Sequence, residues 1–422
     1  MRYRLIGKLV DAVREVHADG SSNSAFDGLR VLQHPGRLHE WLVGNWDSIV
    51  PVTVEVWPSL SCNARCPSCP YRRSGARDMA DSTDRPFVVD RQLAVELPRS
   101  LAASGVASVM ITGGGEPLVA PTLMTLVEGI RRSGLAWGIF TNGELLRRDV
   151  VASLAMHSPR WIRVSLDAGT AEVHRSIYGT GINFDTVVAN IVDSARLLVA
   201  SGHRRTLGVS FAIPWWFSDR HLEEAASLTA HLVKASNHGL ASVAVRPRAA
   251  HFSADPHGQH IANVPLPHAV EFASLGPRAL SAFGAALEPF KDVRLDVKLS
   301  LFTAASGTRG ADGSGSGWMT VVDQDGEGFL VSELAGAAHG WGNVTSGFAQ
   351  AWNSQLRIER MRRIFNGEIK MPPMHRLSPL DAMLGMFRSN VDSAWLTHEE
   401  SQEFLQQAAD VPFFRSSSYD FV

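Results

Sequence analysis

The sequence predicts an α/β fold, and three observations lead to it. Apolar, β-branched runs recur at intervals from Val52 to about Arg248. Stretches with helical periodicity lie between them, and short glycine-containing turns punctuate the junctions. Strand–helix alternation of this kind means parallel strands joined by crossover helices.

Taken in order, strands are expected at 52–57, 106–111, 135–140, 161–166, 207–213 and 241–246. The first is the run VTVEVW, and the second, Val106 to Ile111, has the unbroken apolar character of a strand buried on both faces. Helices are expected near 90–104, 121–133, 144–156, 184–201 and 219–236. In the helix at 184–201, Val187, Val188, Ile191, Val192, Ala195 and Leu198 form one apolar stripe. Residues 1–50 read as helices and a turn that cover one end of the core at 51–250. Residues 251–317 read as a connector, and 318–422 as a smaller α+β extension. Within the connector, His251, His257, His260 and His268 stand among prolines. A second metal site is one reading, but the absence of regular spacing favours solvated loop histidines. Ser306 to Gly317, rich in glycine and serine, reads as a flexible connector or mobile lid.

Composition narrows the function. The 422 residues carry 40 Lys and Arg against 42 Asp and Glu, a net charge of −2. No basic tract points to nucleic acid, and no apolar run reaches the ~18 residues that would span a membrane. The charged opening MRYRLIGKLVDAVREV is not expected to be a secretory signal. Cysteine use without obvious pairs fits a reducing, cytoplasmic location.

The three cysteines, Cys62, Cys66 and Cys69, all fall within eight positions of SLSCNARCPSCPYRR. Three thiols this close, with none elsewhere, point to a metal. Structural zinc and iron–sulfur sites usually take four protein ligands, so three leave a metal position open to a substrate or cofactor. A zinc knuckle completed by a distant histidine is the alternative. The spacing Cys-x3-Cys-x2-Cys after a strand resembles the cluster loop of the radical S-adenosylmethionine (radical SAM) superfamily. That resemblance implies one 4Fe–4S cluster held by Cys62, Cys66 and Cys69, with S-adenosylmethionine on the open iron. It also implies a partial (β/α)6, TIM-like barrel whose site lies at the C-terminal strand ends. Reductive cleavage would yield a 5′-deoxyadenosyl radical, with the electron coming from a donor such as flavodoxin or ferredoxin.

Further segments resemble the family's cosubstrate motifs. Thr112-Gly113-Gly114-Gly115-Glu116-Pro117 follows the second strand, where glycines permit close backbone approach and Glu116 would accept from the methionine ammonium. By itself the motif is equally a tight turn. Asn142 ends the third strand in Thr-Asn-Gly, and Ser165 and Asp167 end the fourth, as expected for ribose and carboxylate contacts. A turn at Asn142 and a helix cap at Ser165 and Asp167 are the plainer readings. Arg175 matches a basic position near the cosubstrate carboxylate. Arg246, with Arg248, sits at the end of the sixth strand, aimed at a carboxylate or phosphate or else in a surface ion pair. Trp215, Trp216 and Phe217 would wall the site or form a capping turn. The family usually places an aromatic residue before the third cysteine, but Ser68 stands there, leaving Tyr71 as its replacement against adenine.

The C-terminal region resembles a SPASM or Twitch extension without its cysteines. Val321 to Ser332 reads as a hairpin with an Asp-Gly turn, followed by Gly342-Asn343-Val344 and Ala351-Trp352-Asn353-Ser354. Ser332 stands where a ligand cysteine is expected, and serine is a poor iron ligand. Chance hairpin vocabulary is the alternative. With no second cluster and no fourth cysteine, rearrangement, elimination or decarboxylation of a small polar substrate remains, with Tyr178 a candidate to quench a radical. A sugar, aminocyclitol or nucleoside-like metabolite is expected. Modification of a peptide precursor and a non-catalytic iron–sulfur sensor stay as alternatives.

Overall fold

The computed structural model describes residues 34–42, 44–66, 69, 71, 88–214, 216–248, 266–299, 302, 314–332, 340–369 and 384. The expectations for residues 1–33, for Ser68, Trp215, His251, His257, His260 and the side chain of His268, and for 306–313 fall outside them.

All six expected strands are present: β1 (Thr53–Val56), β2 (Ser108–Ile111), β3 (Ala136–Thr141), β4 (Trp161–Ser165), β5 (Leu207–Ile213) and β6 (Ser242–Pro247). So are the five expected helices, α2 (Arg91–Ala103), α3 (Leu123–Arg132), α4 (Arg148–Ala155), α6 (Phe184–Ala200) and α7 (Asp219–Ala235). Local chemistry explains their ends. The Asp90 carboxylate accepts the Leu93 N–H at the start of α2, and the Asn183 side chain accepts from Thr186 at the start of α6. Along α6, Val187, Ile191, Ala195 and Leu198 are buried, with Val188 and Val192 packed at the margin.

Helix α1 (Pro35–Leu42) falls in the segment expected to hold helices, while three elements escape the sequence reading: α5 (Ala171–Tyr178), α8 (Leu266–Leu287) and a seventh parallel strand, β7 (Arg294–Val297). The last two lie inside the segment read as connector. Their signal was present: Arg294-Leu295-Asp296-Val297-Lys298 alternates charged and aliphatic residues with period two. The extension then contributes β8 (Met319–Val322), β9 (Glu327–Phe329) and β10 (Gly340–Asn343), followed by α9 (Phe348–Trp352) and α10 (Gln355–Phe365).

The ten strands make one sheet in the order β10-β9-β8-β1-β2-β3-β4-β5-β6-β7. From β8 to β7 the pairing is parallel, and β8–β9–β10 is antiparallel. The expected hairpin therefore joins the barrel sheet directly, through the pairing of β1 with β8. Its motif residues are structural. The Asn343 amide donates to the Asp325 carbonyl, Ser354 caps α10, and the Trp352 indole donates to the Ile49 carbonyl. The buried Arg357 guanidinium stacks 4.5 Å over Trp352 and donates to the carbonyls of Trp352 and Asp47.

The sheet has two unlike faces. Val209, Phe211, Val243 and Val245 face the helices, and the Phe211 ring meets Phe283 of α8 at 5.1 Å. The opposite, concave face carries Thr53, Glu55, Ser108, Arg163, Ser165, Ser210, Arg246, Asp296 and Lys298, many of them buried. Charge and hydroxyl groups thus line the interior of the partial barrel. No described helix is long and apolar enough to cross a membrane.

Burial leaves two histidines averse to protonation. Burial lowers the His34 pKa to about 4, with help from nearby Arg37, and burial does the same to His174 against a weaker opposing effect of Asp167. A depressed folded-state value stabilises the fold above the unfolded value near 6.5, and that contribution is lost as pH falls toward 4. The urea midpoint of the apoprotein is expected to hold above pH 7 and to fall between pH 6.5 and 4. His174→Phe should remove part of that fall. An equal fall in the variant would show that His174 contributes nothing to it.

Candidate active site

The cysteine loop leaves β1 at Trp57 and crosses the C-terminal strand ends. Backbone bonds tie it to the glycine-rich turn: Gly115 N–H donates to Ser59 at 3.0 Å, and Glu116 N–H to Ser61 at 2.9 Å. A Cβ at Gly115 would stand 2.1 Å from the Ser61 carbonyl oxygen, so only glycine admits this approach. The glycine here serves the protein's own loop. On the other side, Arg65 N–H donates to the Tyr178 carbonyl, and the Asn63 side chain accepts from the Asn142 amide at 2.7 Å. Gly181, at φ 99°, faces Asn63 so closely that a Cβ would lie 1.9 Å from its carbonyl oxygen.

Cys62 is exposed, while Cys66 and Cys69 are half-buried. Burial pushes the Cys66 thiol up to about 12; Arg248 works against this, and the neighbouring Cys69 and Cys62 add to it. The three thiols therefore sense one another, and the sequence holds no fourth cysteine. Among the described residues, no three His, Cys, Asp or Glu side chains converge on a single-ion site. A cluster does not need such convergence, since each thiolate holds a different iron. The donor set fits a 4Fe–4S cluster with one open iron.

Glu116 is 3% exposed and caps the short 3₁₀ turn Pro117–Val119. Its carboxylate accepts from the Thr141 hydroxyl at 2.6 Å, the Asn142 N–H at 2.7 Å and the Leu118 N–H at 3.1 Å. Burial raises its pKa, and these three donors oppose the rise. Asn142 also accepts from the Glu144 N–H, so it is both turn former and loop anchor. Gly113 and Gly114 pack against Ser59 and Leu60 of the same loop.

Asp167 is 2% exposed and holds φ at 57°, unusual for a residue other than glycine. Its carboxylate accepts the Ala212 N–H at 2.6 Å, the Tyr178 hydroxyl at 2.8 Å and the Arg248 guanidinium. Burial opposes the charge on Arg248, yet Asp167 and its neighbours hold the pKa above its ordinary value. Tyr178 is held well above its usual range by burial and by Asp167, and its hydroxyl also donates to the Ser165 carbonyl at 2.7 Å. The Ser165 side chain is half-buried on the concave face, in register with Ser210.

Some sequence expectations separate here. The arginine on Asp167 is Arg248; Arg175 is solvent-exposed on α5, whose buried side carries Val173, His174, Ile177 and Tyr178. Arg246 is exposed at the mouth, in register with Ala212. Phe217 is buried and Trp216 partly exposed; Trp216 meets His221 edge-on and Phe217 packs tilted against it, and His221 with Ser218 forms a capping box on α7. The aromatic pair therefore belongs to a capping turn. Tyr71 meets Trp57 edge-on at 4.8 Å, and its hydroxyl reaches the Ser332 carbonyl at 3.4 Å. Sequence reasoning missed Asn63, Thr141 and the Gly179 to Gly181 platform, because their partners lie far away in the chain.

Residues 58–208 match the family model described as the radical SAM superfamily. The likeness to that superfamily is carried by this segment, from the cysteine loop to the start of β5. Members of the superfamily use a 4Fe–4S cluster and S-adenosylmethionine. Over 152 residues the chain is 33% identical to the mycofactocin maturase MftC of Mycobacterium tuberculosis, covering 36% of each chain. Over 83 residues it is 31% identical to an AdoMet-dependent heme synthase of Methanosarcina barkeri, covering 20% of this chain and 24% of that one. The match thus spans about a third or less of these relatives. SuiB of Streptococcus suis, bound to the precursor peptide SuiA, shares the fold at a TM-score of 0.54 and 14% identity, over 79% of this chain and 72% of its own. Native anSMEcpe with bound AdoMet does so at 0.51 and 14%, over 85% and 99%.

Two variants test this frame. Gly115→Ala should force the cysteine loop away, cost about 1–3 kcal/mol by overpacking, and lower the iron bound after anaerobic reconstitution. Full iron content would show that the close approach is dispensable. Asp167→Asn leaves the Arg248 charge without its partner and should cost about 3 kcal/mol in urea unfolding.

Proposed function

We propose that this chain is a radical SAM enzyme acting on a small polar metabolite. The observation that supports it best is the joint anchoring of the Cys62–Cys69 loop by the Gly115–Glu116 turn, Asn142 and the Tyr178 segment. Those are the motifs that resemble the family's cosubstrate site. Cys62, Cys66 and Cys69 would hold the cluster, and Gly113, Gly114, Gly115, Glu116, Asn142 and Ser165 would border the cosubstrate. When bound, the cluster and S-adenosylmethionine supply a 5′-deoxyadenosyl radical able to take hydrogen from unactivated carbon.

The chain's own residues position and shield. Asp167 holds Arg248 and Tyr178 in place, and the Arg248 charge favours the Cys66 thiolate while Asp167 opposes it. Glu116 orients Thr141 and Asn142, and Asn142 in turn holds Asn63. Trp57, Val321, Phe329, Leu60 and Tyr71 form an apolar cluster beside the loop that keeps water from one side. Tyr178 shares its one hydroxyl proton between the Ser165 carbonyl and the Asp167 carboxylate. An external electron donor such as flavodoxin or ferredoxin would supply reducing equivalents.

The main alternative, maturation of a peptide, draws on the 33% identity to a maturase over 152 residues. Anaerobic reconstitution with iron and sulfide, followed by dithionite and S-adenosylmethionine, tests the radical chemistry that both readings share. About four irons per chain and 5′-deoxyadenosine are expected in the wild type. Each of Cys62→Ala, Cys66→Ala and Cys69→Ala should abolish both. Zinc in place of iron, or full cluster content in any single variant, would overturn the assignment.

A further inference from the structure

The concave face continues beyond the cysteine loop as two transverse rows. One runs through register partners Ser165, Ser210, Ala244 and Asp296. The other runs from Asp167 through Ala212 and Arg246 toward Lys298, whose N–H donates to the Val245 carbonyl. Three strand spacings separate Ser165 from Asp296, roughly 14 Å. At Ser210, Ala212 and Ala244 the side chains on this face are small and buried, so no bulky group stands between the strand ends and β7 along these rows.

Two buried charges stand at the far end. Asp296 is 2% exposed and Lys298 5%, and the Lys298 ammonium donates to Asp296 Oδ2 at 2.5 Å. The other carboxylate oxygen, Oδ1, is buried without a hydrogen-bond partner. A buried carboxylate oxygen in that state is costly unless a donor arrives. The orphan lies on the face that the substrate would occupy, and no residue named for the cluster or cosubstrate uses it.

Resting on the proposed radical SAM reading, we infer that Asp296 and Lys298 form the substrate subsite, in which Asp296 Oδ1 accepts a hydroxyl of a ring polyol. The donor is a neutral hydroxyl. The Lys298 charge beside Asp296 and the Arg246 guanidinium one row up disfavour an incoming ammonium. The class is therefore a sugar or cyclitol that presents a hydroxyl, not an amine, to β7.

The test is calorimetric binding to reconstituted wild type and Asp296→Asn, each saturated with S-adenosylmethionine, using myo-inositol, glucose and glucosamine as probes. At least one neutral polyol should bind the wild type, and more tightly than glucosamine. Asp296→Asn should weaken that binding tenfold or more while iron content and S-adenosylmethionine affinity stay unchanged. Ala244→Leu, which puts a bulky side chain in register with Asp296 but keeps the ion pair, should weaken it as well. No polyol binding, tighter binding of glucosamine, or binding within twofold of wild type in either variant would overturn the subsite. The same preparations, assayed for 5′-deoxyadenosine with dithionite, report on the radical reading separately.

Discussion

The cysteine loop is held between two glycine surfaces that can themselves carry no side chain. Gly115 meets Ser61 on one side, and Gly181 meets Asn63 on the other, each backbone close enough to exclude a Cβ. Because β1, β2 and the segment after β4 all contribute to this clamp, the loop's position is coupled to the register of the parallel sheet. Three thiols on a free loop would scatter. Here the backbone on both sides of Cys62 is held by hydrogen bonds at Ser61, Asn63 and Arg65, which lowers the ordering cost of binding a metal.

The same economy governs the charges around the loop. Asp167 accepts from a backbone N–H, a phenol and a guanidinium at once, and its left-handed φ is sustained by those bonds. An unpaired arginine at this depth would be unstable; paired with Asp167, Arg248 keeps its charge, which favours the thiolate of Cys66. Glu116 follows the same logic. Its carboxylate is buried because three donors from two neighbouring segments meet it.

The extension solves a different problem. An open parallel sheet would leave β1 as an edge, and β8 covers it with a ladder that continues into the β9 and β10 hairpin. Tyr71 packs edge-on against Trp57 and reaches the Ser332 carbonyl, so the loop and the extension meet through a hydrogen bond. At the opposite edge, β7 completes the concave wall with Asp296 and Lys298.

The sequence by itself determined the strand and helix series of the core, the position of the cysteine loop and the glycine-rich and Ser-x-Asp motifs. Each is local: period, cap residues and spacing are written within a few neighbouring positions. It also held the alternation of β7, hidden by the prolines and histidines upstream. Only the tertiary structure decided which arginine meets Asp167, because Arg175, Arg246 and Arg248 are equivalent by composition and differ in where their backbones end. It likewise decided that Gly115 serves the loop, that Trp216 and Phe217 cap a helix, and that β8 seals β1. Those outcomes depend on pairings between residues tens to hundreds of positions apart, which no local pattern encodes.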